Sequence, residues 1–368
     1  MTIDHYEKHH RETMDGSALD VAKGVADQPI VNPGYVRRPR PSLTTEQFVE
    51  GIVAGDVAVL SQAITLVESS NPAHFEAARQ IIEGCLPHAG RSIRIGITGV
   101  PGAGKSTFIE AIGARVADRG HRLAVLAIDP SSERSGGSIL GDKTRMESIS
   151  TDRRIFIRPS PSAGSLGGVA RKTRETVVLC EAAGYDVIFI ETVGVGQSET
   201  AVHSMADLFL MLQISGAGDE LQGIKRGIME MADAVVITKA DGDNVTRASL
   251  AKRQFENALM LFPTPDSGWK PRVYTASSVS GSGLDEVWTG VEEFLDFVRA
   301  NGFFASNRNR QNLYWMRETI DQALRSGFYN APEIEALMPS YRQMVQGEQM
   351  SPFAAAHELL AKYKMVNV

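Results

Sequence analysis

The 368-residue chain is 43% hydrophobic and 22% charged, with a formal net charge of -6 and two cysteines. Such a chain can bury a sizeable core in one large domain with appended helices or in two domains, and it lacks the basic excess of a general nucleic-acid binder. Cys85 and Cys180 lie far apart without CxxC spacing, so neither a disulfide framework nor a thiolate metal site is expected. No apolar run reaches the roughly 18 residues needed to cross a bilayer.

The N-terminal stretch MTIDHYEKHHRETMDGSALD mixes acids with bases and has no apolar h-region, which speaks against a secretory signal or a transit peptide and for a cytoplasmic protein. Residues 1–41 read as a poorly ordered arm ending in the stiff RRPRP of Arg37 to Pro41. From Ser42 the pattern turns helical, with Thr44 and Gln47 in capping-box spacing ahead of Phe48 and Ile52. Ala78, Ile81, Ile82 and Cys85 fall at i, i+3, i+4 and i+7, predicting a second amphipathic helix with Cys85 on its buried side. Residues 42–90 are therefore expected to form a helical extension.

Six short β-rich runs follow, at 92–98, 122–129, 186–192, 207–214, 233–240 and 272–277. Several are apolar on successive residues, as strands covered on both faces are, and most are separated by enough chain for a crossover helix. Residues 91–300 thus read as an α/β domain around a mostly parallel, doubly wound sheet. From 301 to 368 helical periodicity returns, with Met316, Ile320 and Leu324 on one face and Ser351-Pro352 as a cap and first-turn pair. That face is expected to close on the main domain or on another subunit.

Gly99-Val100-Pro101-Gly102-Ala103-Gly104-Lys105-Ser106 matches G-x-x-x-x-G-K-[ST] in full, follows a predicted strand, and opens a predicted helix with Phe108, Ile112 and Val116 on one face. The pattern predicts a P-loop NTPase site reaching to Thr107: glycines let the backbone approach phosphate, and N–H groups at a helix terminus attract it. Lys105 is expected at the β- and γ-phosphates and Ser106 at Mg²⁺, which needs further oxygen ligands. Asp129, Asp142 and Glu191 are the candidates.

The TKAD run, Thr238 to Asp241, ends another apolar strand and resembles the guanine-reading element of GTPases. There the Asp carboxylate accepts from the ring N–H and the exocyclic amine, while the Lys239 stem would lie along the base; adenine lacks that donor pair, so GTP is favoured over ATP. Thr238 stands where Asn is commoner. The following TASS run resembles the next guanine-contacting loop, in which backbone N–H groups of Ser277, Ser278 and Val279 would meet the base oxygen. Gly194 in ETVG is placed to meet the γ-phosphate. In Ras-like proteins the next residue is a water-orienting glutamine; here it is Val195, which predicts slow intrinsic hydrolysis accelerated by a partner. Arg145, Gln197 and Lys225 are candidates for groups swung into place.

Taken together, GVPGAGKSTFIEAIG, AIDPSSERSGGSILGDKTRM, IRPSPSAGSLGGVA, ETVGVGQSE, GAGDELQGIKRGIMEMAD and TKAD closely resemble the MeaB-type GTPases, the group containing the methylmalonic aciduria type A proteins. The resemblance runs from about residue 45 to the C-terminus and is most specific over 95–245. It implies a GTPase chaperone that docks on methylmalonyl-CoA mutase or a related acyl-CoA mutase, gates loading of adenosylcobalamin held by that partner, and helps exchange damaged cofactor. It further implies a homodimer and a switch loop carrying Asp219, Gln222 and Lys225. Three other readings stay open: a GTPase for nickel insertion, to which His5, His9 and His10 would lend metal ligands; a small-molecule kinase; and an interaction module that binds GTP without turnover.

Overall fold

Seven strands form one all-parallel sheet in the order β3-β2-β4-β1-β5-β6-β7. In this computed structural model the described residues are 43–128, 146–159, 166–192, 198–215 and 226–366. The strands are β1 (Ile93–Gly99), β2 (Leu123–Ile128), β3 (Ile155–Arg158), β4 (Val187–Thr192), β5 (Leu208–Ile214), β6 (Ala234–Thr238) and β7 (Arg272–Thr275). Six match the expected runs. The seventh, β3, is a four-residue edge strand beside β2 that the sequence pattern did not reveal.

Three helices precede the sheet: α1 (Thr45–Val53), α2 (Val57–Glu68) and α3 (Phe75–Cys85). Thr44 and Gln47 close the expected capping box on α1. Cys85 is fully buried, and burial pushes its thiol up to about 11, which fits packing rather than chemistry. Within the sheet region come α4 (Lys105–Asp118), α5 (Glu147–Ser150), α6 (Leu166–Ala182), α7 (Ser198–His203), α8 (Arg226–Met231), α9 (Val245–Leu259) and α10 (Leu284–Ala300). Phe108, Ile112 and Val116 of α4 and Trp288 and Phe294 of α10 join Ile95, Ile97, Val125, Phe189 and Leu210 in the principal core on one face of the sheet. On the other face, Met211, Val235 and Ile237 meet Phe255 and Leu259 of α9. The chain leaves β1 for β2 on one side and later passes to β5 on the other. The crevice of this switch point lies outside the carboxyl ends of the strands.

The opposite, amino-terminal edge of the sheet is fastened by buried ion pairs. Arg94 on β1 donates Nε to Glu181 Oε1 at 2.9 Å and Nη2 to Oε2 at 3.0 Å, and Ser92 and the Gly90 N–H donate to the same carboxylate. Burial pushes Glu181 up, but these partners outweigh it and hold the carboxyl below its ordinary range. Arg308 of α11 (Phe303–Tyr329) donates to Asp207 at 2.6 and 2.8 Å, and to the Gly90 and Ser92 carbonyls. Trp315 Nε1 donates to Ser204 O at 3.2 Å, docking the first half of α11.

Beyond Trp315 the helix leaves the sheet. Met316, Ile320 and Leu324 are 53%, 50% and 65% exposed, so within the chain this face is not closed on the main domain. With α12 (Pro332–Gln346) and α13 (Pro352–Val366), the rest of α11 makes a small separate core around Ile334, Tyr341 and Leu359. Ser351 Oγ accepts from Ala354 N at 3.1 Å, the expected cap of α13. Among the described residues no helix is long and apolar enough to cross a membrane.

The carboxylate of Asp233, just before β6, accepts the Phe209 N–H at 2.8 Å, and burial raises its pKa from about 4 to about 7. An acid with a raised native pKa binds more protons folded than unfolded, so folding stability falls as pH rises from about 4 through about 7. Asp233→Asn keeps an acceptor for Phe209. Thermal melts at pH 5 and pH 8 are expected to show a smaller loss of Tm over that interval in the variant than in the parent protein.

Candidate nucleotide site

β1 runs straight into the phosphate-loop segment at the carboxyl edge of the sheet. A Cβ on Gly99 would sit 2.5 Å from Leu212 O on β5, so only glycine lets the loop leave this close to its neighbour. Gly104, with φ of 78°, turns through the left-handed region and delivers the chain into α4. The first turn of α4 holds no acidic residue and has no side-chain cap, so its leading N–H groups are left without an intrahelical or capping acceptor. Lys105 folds across this loop, with Nζ 2.9 Å from Gly99 O and 3.5 Å from Val100 O. Burial lowers the Lys105 ammonium pKa, opposed by the nearby carboxylates of Glu191 and Glu199. Ser106 Oγ donates to Glu191 Oε1 at 3.3 Å, bringing two hard oxygen donors together at the end of β4.

The TKAD run lies on the far side of the same loop. Thr238 is buried, and its hydroxyl lies 2.8 Å from Ala103 O and 2.9 Å from Gln213 O, bracing the phosphate loop against β5 and β6. Lys239 takes φ of 56°, a left-handed conformation that costs a non-glycine residue of the order of 1–2 kcal/mol. That turn lays its Cε 3.9 Å from the position a Cβ on Gly104 would take, so the lysine stem crosses the loop. Ser277 donates its hydroxyl to Asp241 Oδ2 and so aims the carboxylate.

The TASS loop is bonded within itself. The Ser277 N–H donates inward to Ser282 O at 2.9 Å, and the N–H groups of Val279 and Ser280 donate to Ser277 Oγ at 3.2 and 3.1 Å. The turn closes on itself, and among the described residues the Ser278 N–H is the one of the three with no such bond. The Val279 side chain is 88% exposed. Asp129, Asp142, Arg145, Gly194, Val195, Gln197, Asp219, Gln222 and Lys225 lie outside the described residues, as do His5, His9 and His10. Among the described residues no group of three His, Cys, Asp or Glu side chains is arranged to hold a metal ion.

A family model described as the methylmalonyl Co-A mutase-associated GTPase MeaB matches residues 60–333. The chain belongs to this MeaB family. It is 42% identical over 316 residues to the Escherichia coli GTPase ArgK, covering 86% of this chain and 96% of the relative. It is 45% identical over 329 residues to the mouse mitochondrial methylmalonic aciduria type A homolog, covering 87% and 79%. Among solved structures, one described as a LAO/AO transport system kinase superposes with a TM-score of 0.67 at 36% identity, covering 87% of this chain and 97% of that one. At these identities and over these lengths, the MeaB-family chain is a GTPase.

Three residues of this MeaB-family site carried no sequence motif. Arg115 on α4 donates Nη2 to Gly281 O at 2.9 Å and pairs with Asp285, clamping the base loop to the phosphate-loop helix across more than 160 residues of chain. Glu199, 5% exposed on α7, adds negative charge beside Lys105 and has an Oε2 without a hydrogen-bond partner among the described residues. Asn244 joins the TKAD run to the residue after β5. Only tertiary contact distinguishes these three from ordinary polar residues.

Thr238→Val removes the hydroxyl but keeps the shape, so the one O–H donor shared between the Ala103 and Gln213 carbonyls is lost at a cost of about 1–3 kcal/mol. The variant is expected to melt several degrees lower and to bind GDP more weakly in calorimetry, while Thr238→Ser, which keeps the hydroxyl, stays close to the parent protein in both.

Proposed function

We propose that GTP sits with its phosphates among the amides of residues 99–107 and its base against Lys239, Asp241 and the Ser278 N–H. The observation that carries this reading is the placement of Lys239 and Asp241. The lysine stem crosses the phosphate loop and the carboxylate is oriented by Ser277, so the acceptor a guanine needs stands beside the loop a triphosphate needs. The ammonium of Lys105, lying on loop carbonyls, is within a side-chain swing of the phosphates. Ser106 and Glu191 fit Mg²⁺, since both are hard oxygen donors and already share a hydrogen bond; Asp129 and Asp142 would complete the set. Bound there, the metal would neutralise charge on the β- and γ-phosphates.

Intrinsic hydrolysis is slow in this proposal because Val195 cannot orient water, and a partner completes the site by bringing in Arg145, Gln197 or Lys225 while Gly194 senses the γ-phosphate. That partner is methylmalonyl-CoA mutase or a related acyl-CoA mutase, as the family description supports. The GTPase gates adenosylcobalamin loading and reactivates the mutase through segments that include Asp219, Gln222 and Lys225, and it touches the cobalamin only through the mutase. The exposed Met316, Ile320 and Leu324 support homodimerisation through the C-terminal helices. A cytoplasmic location accompanies this reading.

Two measurements test it. Asp241→Asn replaces one acceptor by a donor, which suits the 2-oxo group of xanthine and opposes the 2-amino group of guanine. GDP affinity is expected to fall roughly 100-fold or more while XDP binding rises. Phosphate release from GTP is expected to accelerate at least tenfold when a methylmalonyl-CoA mutase is added; an unchanged rate would remove the mutase from the proposal.

A further inference from the structure

Asn244 stands at the N-cap position of α9, where an asparagine ordinarily accepts from the N–H groups of its own helix. Here its side chain makes no such bond. Nδ2 donates to Lys239 O at 2.7 Å, and Oδ1 accepts from Ser215 Oγ at 2.6 Å. The orientation of the amide is fixed by chemistry, because a backbone carbonyl only accepts and therefore must face the nitrogen. The carbonyl so held belongs to the residue with φ of 56°. That single left-handed turn decides where the Lys239 stem and the Asp241 carboxylate point. Two further bonds frame it: Ala240 N donates to Ala276 O at 3.1 Å, and Asn244 N donates to Asp241 O at 3.0 Å.

We propose that Asn244 is the positioning residue for base recognition: its amide holds Lys239 in the left-handed turn that presents Lys239 and Asp241 to guanine, and Ser215 holds the amide. Asn244 acts without touching the nucleotide. This deepens the nucleotide reading above and rests on it. The consequence is a separation of two properties that a general packing role would not separate. Loss of Asn244 affects guanine recognition, in which Lys239 and Asp241 take part, and spares the phosphate contacts, which any nucleoside diphosphate shares.

The test is calorimetry of GDP and ADP, each with Mg²⁺, on the parent protein and on Asn244→Ala, Asn244→Asp and Ser215→Ala, with a thermal melt of each. Asn244→Ala is expected to weaken GDP about tenfold and to leave the weaker ADP affinity within twofold, so that the GDP/ADP ratio collapses about tenfold. Asn244→Asp, which sets a carboxylate oxygen against the Lys239 carbonyl, is expected to do the same or worse. Ser215→Ala, altering only a hydroxyl, keeps the proposal open to test should the Asn244 variants fold poorly, and is expected to lower the ratio two- to fourfold. An unchanged GDP/ADP ratio in folded Asn244→Ala, or in Ser215→Ala where the Asn244 variants do not fold, would overturn the proposal. Equal loss of both nucleotides would also overturn it, since that marks a structural role. A parent protein that does not prefer GDP would instead overturn the base reading itself.

Discussion

The first turn of α4 carries neither a capping side chain nor a carboxylate, and most of the site follows from that bare terminus. Leading N–H groups of a helix have no intrahelical acceptors, and an anion at that end is favoured both by hydrogen bonding and by the aligned peptide dipoles. The chain sharpens this by reaching the terminus through a glycine whose Cβ would collide with β5 and another in the left-handed region. Lys105 adds a cation whose charged form is disfavoured by burial, an effect that Glu191 and Glu199 partly oppose. In the nucleotide reading proposed above, this loop receives the phosphates.

The sheet gives that receptor its surroundings. Because β1 is central, the ends of β4, β5 and β6 all open beside the loop, bringing Glu191 to one side and Thr238 to the other. At the far edge the same strands start from buried ion pairs, Arg94 with Glu181 and Arg308 with Asp207. Removing one member of such a pair strands a buried charge, so these pairs define where α6 and α11 must sit more than they add net stability. The two ends are therefore chemically distinct: the loop end carries an uncapped helix terminus, and the other pairs Glu181 and Asp207 each with a guanidinium.

Thr238 illustrates how a departure from a common pattern acquires a reason. Asparagine is commoner at this position of the guanine-reading element. In this chain the threonine hydroxyl sits between two backbone carbonyls and braces the phosphate loop, while the amide that governs the adjoining turn comes from Asn244, six residues later. The motif residues are thus tied in place by a hydroxyl and an amide that lie partly outside the pattern itself.

The phosphate loop, the TKAD run, the capping box at Thr44 and the buried place of Cys85 were legible because each depends on local spacing, and periodicity of 2 or 3.6 residues reports local conformation directly. The α/β class was legible for the same reason. β3 was not, since IFIR is four residues long at a sheet edge and its assignment comes only from pairing with β2. Arg115, Glu199, Ser215 and Asn244 are ordinary polar residues until folding brings remote chain to them. The closure of the TASS turn on its own N–H groups, and the exposure of Met316, Ile320 and Leu324, were likewise decided by tertiary structure. Sequence determined which conformations each segment favours and which chemistry it carries; only the folded chain decided which donor meets which acceptor, because pairings such as Arg115 with Asp285, Thr238 with Ala103 and Ser215 with Asn244 join residues tens to hundreds of positions apart.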